Sequence, residues 1–132
     1  MAGNFTNEAE IRVLDWLLCE EEEPERPAFP LLAALYTATP DPETGIGGTE
    51  VDGDGYARVE VVFAAATSPG STSNTDDLTW EEAEEDWGEI THVVLFDSDE
   101  VMLFVGEMTA PKEITAGKVF QINAGAMSVS LD

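Results

Sequence analysis

Apolar residues recur at helical spacing near the beginning of the chain. They are Ile11, Leu14, Leu17 and Leu18. This period places them on one face of an α-helix. Asn7 precedes them as a good N-cap residue, and Glu10 stands three positions later, as in a capping box. The pattern predicts a helix over 7–19 whose wide apolar stripe needs a partner surface.

A strongly polar segment follows the predicted helix. Residues 20–23 are four consecutive glutamates, Pro24 follows them directly, and Pro27 comes three positions later. Carboxylates oppose the negative end of the helix dipole, and prolines cannot continue a helix. We therefore predict a division into residues 1–26, the N-terminal helix and acidic linker, and residues 27–132, a β-sandwich domain.

Beyond the linker, short stretches with strand-like hydrophobicity alternate with turn residues. The predicted strands are 31–39, 56–66, 78–80, 89–96, 101–107, 112–115, 118–123 and 127–131. Residues 68–74 read as a flexible connection. Short strands at intervals of roughly 8–12 residues are typical of all-β sandwiches and barrels. The fold class predicted is mainly β, an antiparallel and jelly-roll-like β-sandwich with one N-terminal α-helix.

The charge of the chain narrows the choice of function. The 132 residues include 28 Asp and Glu but only 5 Lys and Arg, which gives a formal net charge of −23. Nucleic-acid backbones and anionic membranes attract basic surfaces, so we expect no nucleic-acid partner and no membrane insertion. At molar salt the Debye length is about 3 Å and self-repulsion nearly vanishes. We interpret the composition as adaptation to high salt; an ordinary acidic surface and a DNA mimic are the alternatives.

Candidate catalytic chemistry is scarce. His92 is the single histidine and lies inside a predicted strand, where a structural role is expected. Residues 45–48 are rich in glycine but lack the Lys and Ser or Thr of a phosphate-binding loop. Cys19 is the single cysteine, so neither an internal disulfide nor a cysteine-based zinc site is predicted. We expect no enzyme, no catalytic residues and no cofactor.

Asp52 and Asp54 are weak candidates for cation binding. Their spacing resembles the start of a calcium-binding loop. Counted from Asp52, however, the fifth position is Tyr56 and the twelfth is Phe63, and neither can supply the carboxylate that an EF-hand loop requires. A plain turn is the simpler interpretation, and no metal site is predicted.

Three stretches of the second half read WGEITHVVLFD at 87–97, LFVGEMTAPK at 103–112 and AGAMSVSLD at 124–132. Together they resemble a family of small structural proteins from tailed bacterial and archaeal viruses, the tail-fibre or head-decoration proteins. Residues 1–18, 35–38, 47–51 and 55–58 are similar as well, so the resemblance covers nearly the whole chain. It departs after Asp97, where Ser-Asp-Glu replaces a small glycine-rich turn.

Some residues of these motifs are predicted to determine the fold. Trp87 would anchor the sheet beside Gly88, which is free to adopt a positive φ. Pro111 cannot donate a hydrogen bond to a neighbouring strand and should lie at a strand start or edge. Arg58 is one of three arginines and is expected to pair with a carboxylate.

The resemblance implies a virion structural protein without catalysis. The role would be a capsid turret or decoration subunit, or an adaptor at the base of a tail fibre, displayed on the particle after assembly in the host cytoplasm. With the acidity, it implies a virus of a halophilic archaeon. Alternatives are a sugar-binding module that recognises the host surface through loops 40–55 and 68–77, and the acidic DNA mimic.

The expected partners are copies of the chain and other virion proteins, such as capsid or tail components, with contact to the host surface left open. Trimers or pentamers are expected, because closed rings satisfy every copy of one interface. The predicted oligomer or anchor contacts are Ile11, Leu14, Leu17 and Leu18. In the alternative, the helix folds back and caps its own sandwich.

Overall fold

The computed structural model describes residues 2–68 and 70–131, which form ten strands and one helix. In chain order the elements are β1 (Ala2–Phe5), α1 (Asn7–Leu18), β2 (Leu31–Ala38), β3 (Thr49–Glu50), β4 (Val59–Val61), β5 (Ser71–Ser73), β6 (Leu78–Thr79), β7 (Gly88–Phe96), β8 (Met102–Ile114), β9 (Gln121–Ile122) and β10 (Ser128–Ser130). The strands pair in antiparallel fashion. The prediction of a mainly β, antiparallel fold with one helix near the N-terminus is confirmed.

A six-stranded sheet forms the first layer. Its strand order is β1-β8-β7-β2-β3, and β4 pairs with the first residues of β2. The central strands β2 and β7 each contain four consecutive buried apolar residues, 33–36 and 93–96, so side chains on both faces of these strands are buried. This sheet therefore carries two separate apolar clusters, one on each face.

The second layer consists of two ribbons, β5–β10 and β6–β9. Together with the segments that connect them, they cover one face of the sheet and enclose the main core. Leu35 and Ile90 of the sheet belong to this core, as do Trp80 and Phe120 of the second layer. The Trp80 and Phe120 rings meet edge to face with centroids 5.3 Å apart, a geometry favoured by aromatic quadrupoles.

The second cluster lies on the outer face of the sheet. Its buried members are Ala34, Tyr36, Val94, Phe96 and Val105. The guanidinium carbon of Arg58 lies 3.9 Å from the centre of the Phe96 ring. The loop 39–48 approaches the same face, since a Cβ placed on Gly45 would lie 3.4 Å from Cβ of Met102. Loop and arginine thus shield this face from water.

Residues 2–5 add an unpredicted strand to the sheet. β1 pairs with β8 from Ala2 opposite Glu107 to Phe5 opposite Phe104. A Cβ added to Gly3 would overlap the ring of Phe104, so only glycine permits this close approach. The division into 1–26 and 27–132 stays a prediction, with the first segment supplying an edge strand to the sheet of the second.

The start of the helix differs from the prediction. Thr6, rather than Asn7, is the N-cap residue, and its Oγ1 accepts a hydrogen bond from the backbone N–H of Ala9 at 3.3 Å. Glu10 is therefore one position too late for a capping box. Thr6 is the N-cap because it is buried against β8, where its hydroxyl also donates a hydrogen bond to the carbonyl of Met102.

One long strand replaces two predicted ones. The predicted strands 101–107 and 112–115 are both parts of β8. Between the pairs Ile90–Lys112 and His92–Glu107, residues 108–111 of β8 stand opposite the single residue 91 of β7. Pro111 lies in this bulge, inside β8 rather than at its start and beyond the last pair with β1, where its missing N–H interrupts no described pairing.

Candidate assembly surface

The first turn of α1 is fixed to the sheet by hydrogen bonds. The N–H of Thr6 donates to the carbonyl of Leu103 at 3.0 Å, and its hydroxyl donates to the carbonyl of Met102 at 2.8 Å. The N–H of Asn7 donates to the carbonyl of Glu43 at 2.8 Å. The helix therefore leaves the body of the protein in a defined direction.

Asp97 lies near the second turn of α1. It is only 2 % exposed, and its Oδ2 lies 4.0 Å from Nη1 of Arg12. Arg12 also donates from Nε to Oε1 of Glu8 at 2.9 Å. The Asp97 carboxylate accepts three hydrogen bonds, from the backbone N–H groups of Ala28, Asp99 and Val101. One buried carboxylate thus joins the helix, the end of the linker and the turn between β7 and β8.

The predicted apolar stripe lies on the solvent side of α1. Its members, Ile11, Leu14, Leu17 and Leu18, are between 54 and 79 % exposed. The helix docks on β8 with the opposite face, where Ala9 is buried. No described residue of the chain covers the stripe, and its role as an oligomer contact stays a prediction.

On its other side, α1 borders a groove that we name the trough. Its apolar part is a cavity of about 570 Å³ between α1 and residues 24–27, lined mainly by Phe5, Ala9, Val13, Trp16, Pro24 and Leu103. Its acidic part, about 600 Å³, surrounds the end of the helix, where Glu20, Glu22 and Glu23 line it together with Leu17 and Leu18 of the stripe. Trp16 and Pro24 line both parts, so the two adjoin at these residues.

A second charged cluster supports the outer face of the sheet. Arg58 donates to both oxygens of Glu50, with distances of 2.9 Å, and the hydroxyl of Tyr56 donates to Oε2 of Glu50 at 2.6 Å. The predicted pairing of Arg58 with a carboxylate is confirmed. Burial opposes the charge of Glu50, but the hydrogen bonds from Arg58 and Tyr56 outweigh it and lower the pKa of this carboxyl. Burial and the hydrogen bond to Glu50 raise the pKa of Tyr56.

This cluster predicts an acid-dependent contribution to stability. The pKa of Glu50 is lower in the folded chain than its ordinary value of 4.5. Ionised Glu50 therefore stabilises the fold above that pH, and the contribution is lost as the pH falls through the folded pKa. We expect Glu50→Gln to lower the free energy of unfolding by about 1–2 kcal/mol at neutral pH and by less near pH 3. Urea unfolding at both pH values measures this, with the exposed Glu60→Gln as control; equal losses at both would contradict it.

The aspartates proposed as cation ligands lie in a turn that packs against Trp87. The N–H of Asp54 donates to Oε1 of Glu85 at 2.8 Å, and its carbonyl accepts from Nε1 of Trp87 at 3.2 Å. Gly88 has a φ of 91°, so the predicted anchor beside a positive-φ glycine is confirmed. Within residues 2–68 and 70–131, no group of three or more His, Cys, Asp or Glu is placed to hold a metal ion. Cation binding by Asp52 and Asp54 stays a hypothesis.

The remaining candidate groups lie apart from one another. Nδ1 of His92 is 2.8 Å from Oγ1 of Thr91. His92 borders a cavity of about 240 Å³ that Asn4 and Glu107 also line. Cys19 is a free, exposed thiol at the end of α1. In the part of the chain that the structure describes, no helix is long and apolar enough to cross a membrane.

Neither the role of Asp97 nor the trough was predicted from the sequence. A usable signal for Asp97 existed, because an aspartate that ends an apolar strand and precedes Ser-Asp-Glu often accepts hydrogen bonds from the turn after it. The trough had no such signal. Its walls come from β1, α1, the linker and β8, which are neighbours only after folding.

The comparisons with known proteins support a tail-fibre protein, one of the two kinds of virion protein that the resemblance implied. No curated protein matches the chain significantly. A family model described as podophage GP4 fiber I protein gp80 matches residues 4–130, which include both the α1 surface and the sandwich. The family name indicates a structural protein of a viral tail fibre. The chain therefore belongs to the podophage GP4 fiber I protein gp80 family.

Proposed function

We propose that the protein is a non-catalytic adaptor at the base of a tail fibre, and that copies of the chain join through the apolar stripe of α1. The observation that carries the proposal is the stripe itself, four large apolar side chains that are all more than half exposed. Burial of apolar surface contributes about 25 cal/mol per Å². Contiguous exposed apolar residues mark interaction sites more often than free surface.

The way α1 is held supports this role. Thr6 and the contact between Arg12 and Asp97 fix the helix before any partner arrives. A rigid element loses little conformational entropy on association, so more of the gain from burial is kept as affinity. Helices from three or five copies around one axis would bury every stripe, which is why a closed trimer or pentamer is the expected assembly.

The acidity adds a condition to the proposal. A net charge of −23 on each copy opposes assembly at low salt. Contacts made mainly by apolar side chains are compatible with this charge once salt screens it. We infer that the particle belongs to a virus of a halophilic archaeon and assembles at high salt.

The assembly proposal predicts a loss of oligomers in a stripe variant. We expect the intact chain to be a trimer or pentamer by light scattering at about 2 M salt. Leu14→Asp combined with Leu17→Asp should be a folded monomer, because burying two new carboxylates in an interface is costly. The matched control is Val62→Asp with Val119→Asp, two equally exposed positions outside α1. A monomeric intact chain, or an oligomer unchanged by the stripe variant, would overturn the proposal.

Position in the particle needs its own experiment. A density map of the intact virion should contain the sandwich where the fibres join the tail. Density at the capsid vertices instead would replace the adaptor role with that of a turret or decoration subunit. Many copies in purified virions, counted by mass spectrometry, would separate both structural roles from a DNA mimic that acts inside the cell.

A further inference from the structure

We propose that the trough binds a segment of another virion protein in which an apolar side chain is followed by basic side chains. This goes beyond the subunit contact proposed above, because the apolar part of the trough uses Ala9, Val13 and Trp16 of α1, none of which belongs to the stripe. The stripe residues Leu17 and Leu18 border only the acidic part. Three observations carry the proposal: the shape and lining of the apolar part, the charge of the acidic part, and the composition of the chain itself.

The apolar part has the size and lining of a binding groove. Its volume of about 570 Å³ falls within the range of sites that hold small ligands or a few side chains. Trp16 lies on its edge and is 72 % exposed, whereas Trp80 and Trp87 are 1 and 6 % exposed. Tryptophan is among the residues that contribute most to binding energy at interfaces. An exposed tryptophan beside an apolar cavity therefore indicates a surface that a partner covers.

The acidic part determines the charge of that partner. Glu20, Glu22 and Glu23 line it at the C-terminal end of α1, where unpaired carbonyl groups carry partial negative charge. The ion pairs among the described residues engage other carboxylates, those of Glu8, Glu50, Asp97 and Glu100. The linker glutamates are thus available to basic side chains from outside.

The arginines of the apolar part do not reverse this charge preference. Arg12 pairs with Glu8 and lies near Asp97, so its charge is already compensated. Arg26 places its guanidinium carbon 5.0 Å from the centre of the Phe29 ring. The order along the trough is therefore an apolar floor followed by uncompensated carboxylates, which fits an apolar residue followed by lysines or arginines.

A second copy of the chain does not have this chemistry. Its 5 basic residues are dispersed, and the two nearest in sequence, Lys112 and Lys118, are six positions apart. A copy would also bring a net charge of −23 to an acidic surface. The occupant is therefore a different protein, and a virion protein is the class that a fibre-base adaptor would contact.

Trp16 provides a spectroscopic test, since the other two tryptophans are buried. The probe is the synthetic peptide SLLKKKS, titrated into the intact chain at moderate and at molar salt. We expect a saturable blue shift of Trp16 emission, absent in Trp16→Phe. The peptides SLLEEES and SSSKKKS should bind at least about ten-fold more weakly, because each lacks one half of the required chemistry.

Variants locate the site and exclude other occupants. Val13→Arg, and separately Glu22→Gln with Glu23→Gln on the exposed linker, should weaken the peptide about ten-fold, whereas Leu14→Ser on the stripe should not. Equal binding of SSSKKKS, or full binding to both trough variants, would overturn the proposal. So would self-association that Val13→Arg abolishes and the double stripe variant retains, because a second copy would then occupy the trough. The peptide outcomes do not bear on the stripe, so a failure there leaves the assembly proposal to its own test. Self-association that the double stripe variant retains would overturn the assembly proposal as well.

Discussion

Replacement of Asp97 by alanine is expected to lower the free energy of unfolding by about 3–5 kcal/mol. The side chain is almost fully buried, and it accepts hydrogen bonds from three backbone N–H groups besides contacting Arg12. Truncation would leave those donors without an acceptor and Arg12 without its second carboxylate. Urea unfolding, followed by the fluorescence of the buried Trp80 and Trp87, measures the loss.

Two further variants make this prediction specific. Asp99→Ala removes an exposed carboxylate from the same turn and should change stability by less than about 0.5 kcal/mol. Asp97→Asn keeps an acceptor oxygen but loses the charge, so its effect should fall between the other two. If Asp97→Ala and Asp99→Ala were equally stable, the proposed connection between helix, linker and turn would be wrong.

The best-predicted parts of the fold are the strands with continuous apolar runs. The prediction of 31–39 became β2 at 31–38, and that of 89–96 became β7 at 88–96. Both lie at the centre of the sheet with buried side chains on either face. Burial of this kind can be recognised in the sequence as a continuous apolar run, because a polar residue at such a position would need a buried partner.

Strands held by distant backbone pairing were not predictable. Residues 71–73 were expected to be part of a flexible connection, yet they form β5 and pair with β10 at 128–130. Serine and threonine give little strand signal of their own, and the pairing depends on a segment more than fifty positions away. The edge strand β1 was not predicted for a similar reason, since it forms by backbone pairing with the distant strand β8.

Alternation of side-chain polarity predicted a longer strand than the structure has in one segment. Residues 56–66 alternate like a strand, but only Val59–Val61 form one, β4, and Phe63 adds an isolated bridge to Asn74. Tyr56 and Arg58 turn instead toward Glu50, and this charged cluster, rather than a strand, occupies the start of the segment. Sequence periodicity shows which residues alternate in environment, but it does not show whether a neighbouring strand is present.

Periodicity also did not show which face of α1 packs against the sandwich. Periodicity correctly predicted α1 and its stripe, and the usual inference would bury that stripe against the sandwich. Ala9 instead faces β8, because its small side chain allows the helix to approach closely, and the large residues face outward. A local rule that fails in this way is typical of a functional surface.

The largest effect of solution conditions is expected from salt. The described ion pairs use only Arg12 and Arg58, so most of the 28 carboxylates have no cation nearby. Repulsion among them acts over the Debye length, which is about 10 Å at 0.1 M salt and well below that at 2 M. We expect the midpoint of thermal unfolding to rise by about 10 °C or more between these concentrations. Equal midpoints would remove the interpretation of the acidity as adaptation to high salt.

A charge-reduced variant separates screening from the general strengthening of apolar burial by salt. Changing Glu20–Glu23 to glutamine removes four exposed charges, from −23 to −19, without touching the core. If repulsion is the cause, this variant should be more stable than the intact chain at low salt, and its midpoint should rise less on the way to 2 M. At high salt the two proteins should converge, because the removed charges are screened there in any case. A rise of the same size in both would instead assign the salt effect to apolar burial, which some salts strengthen whatever the charge.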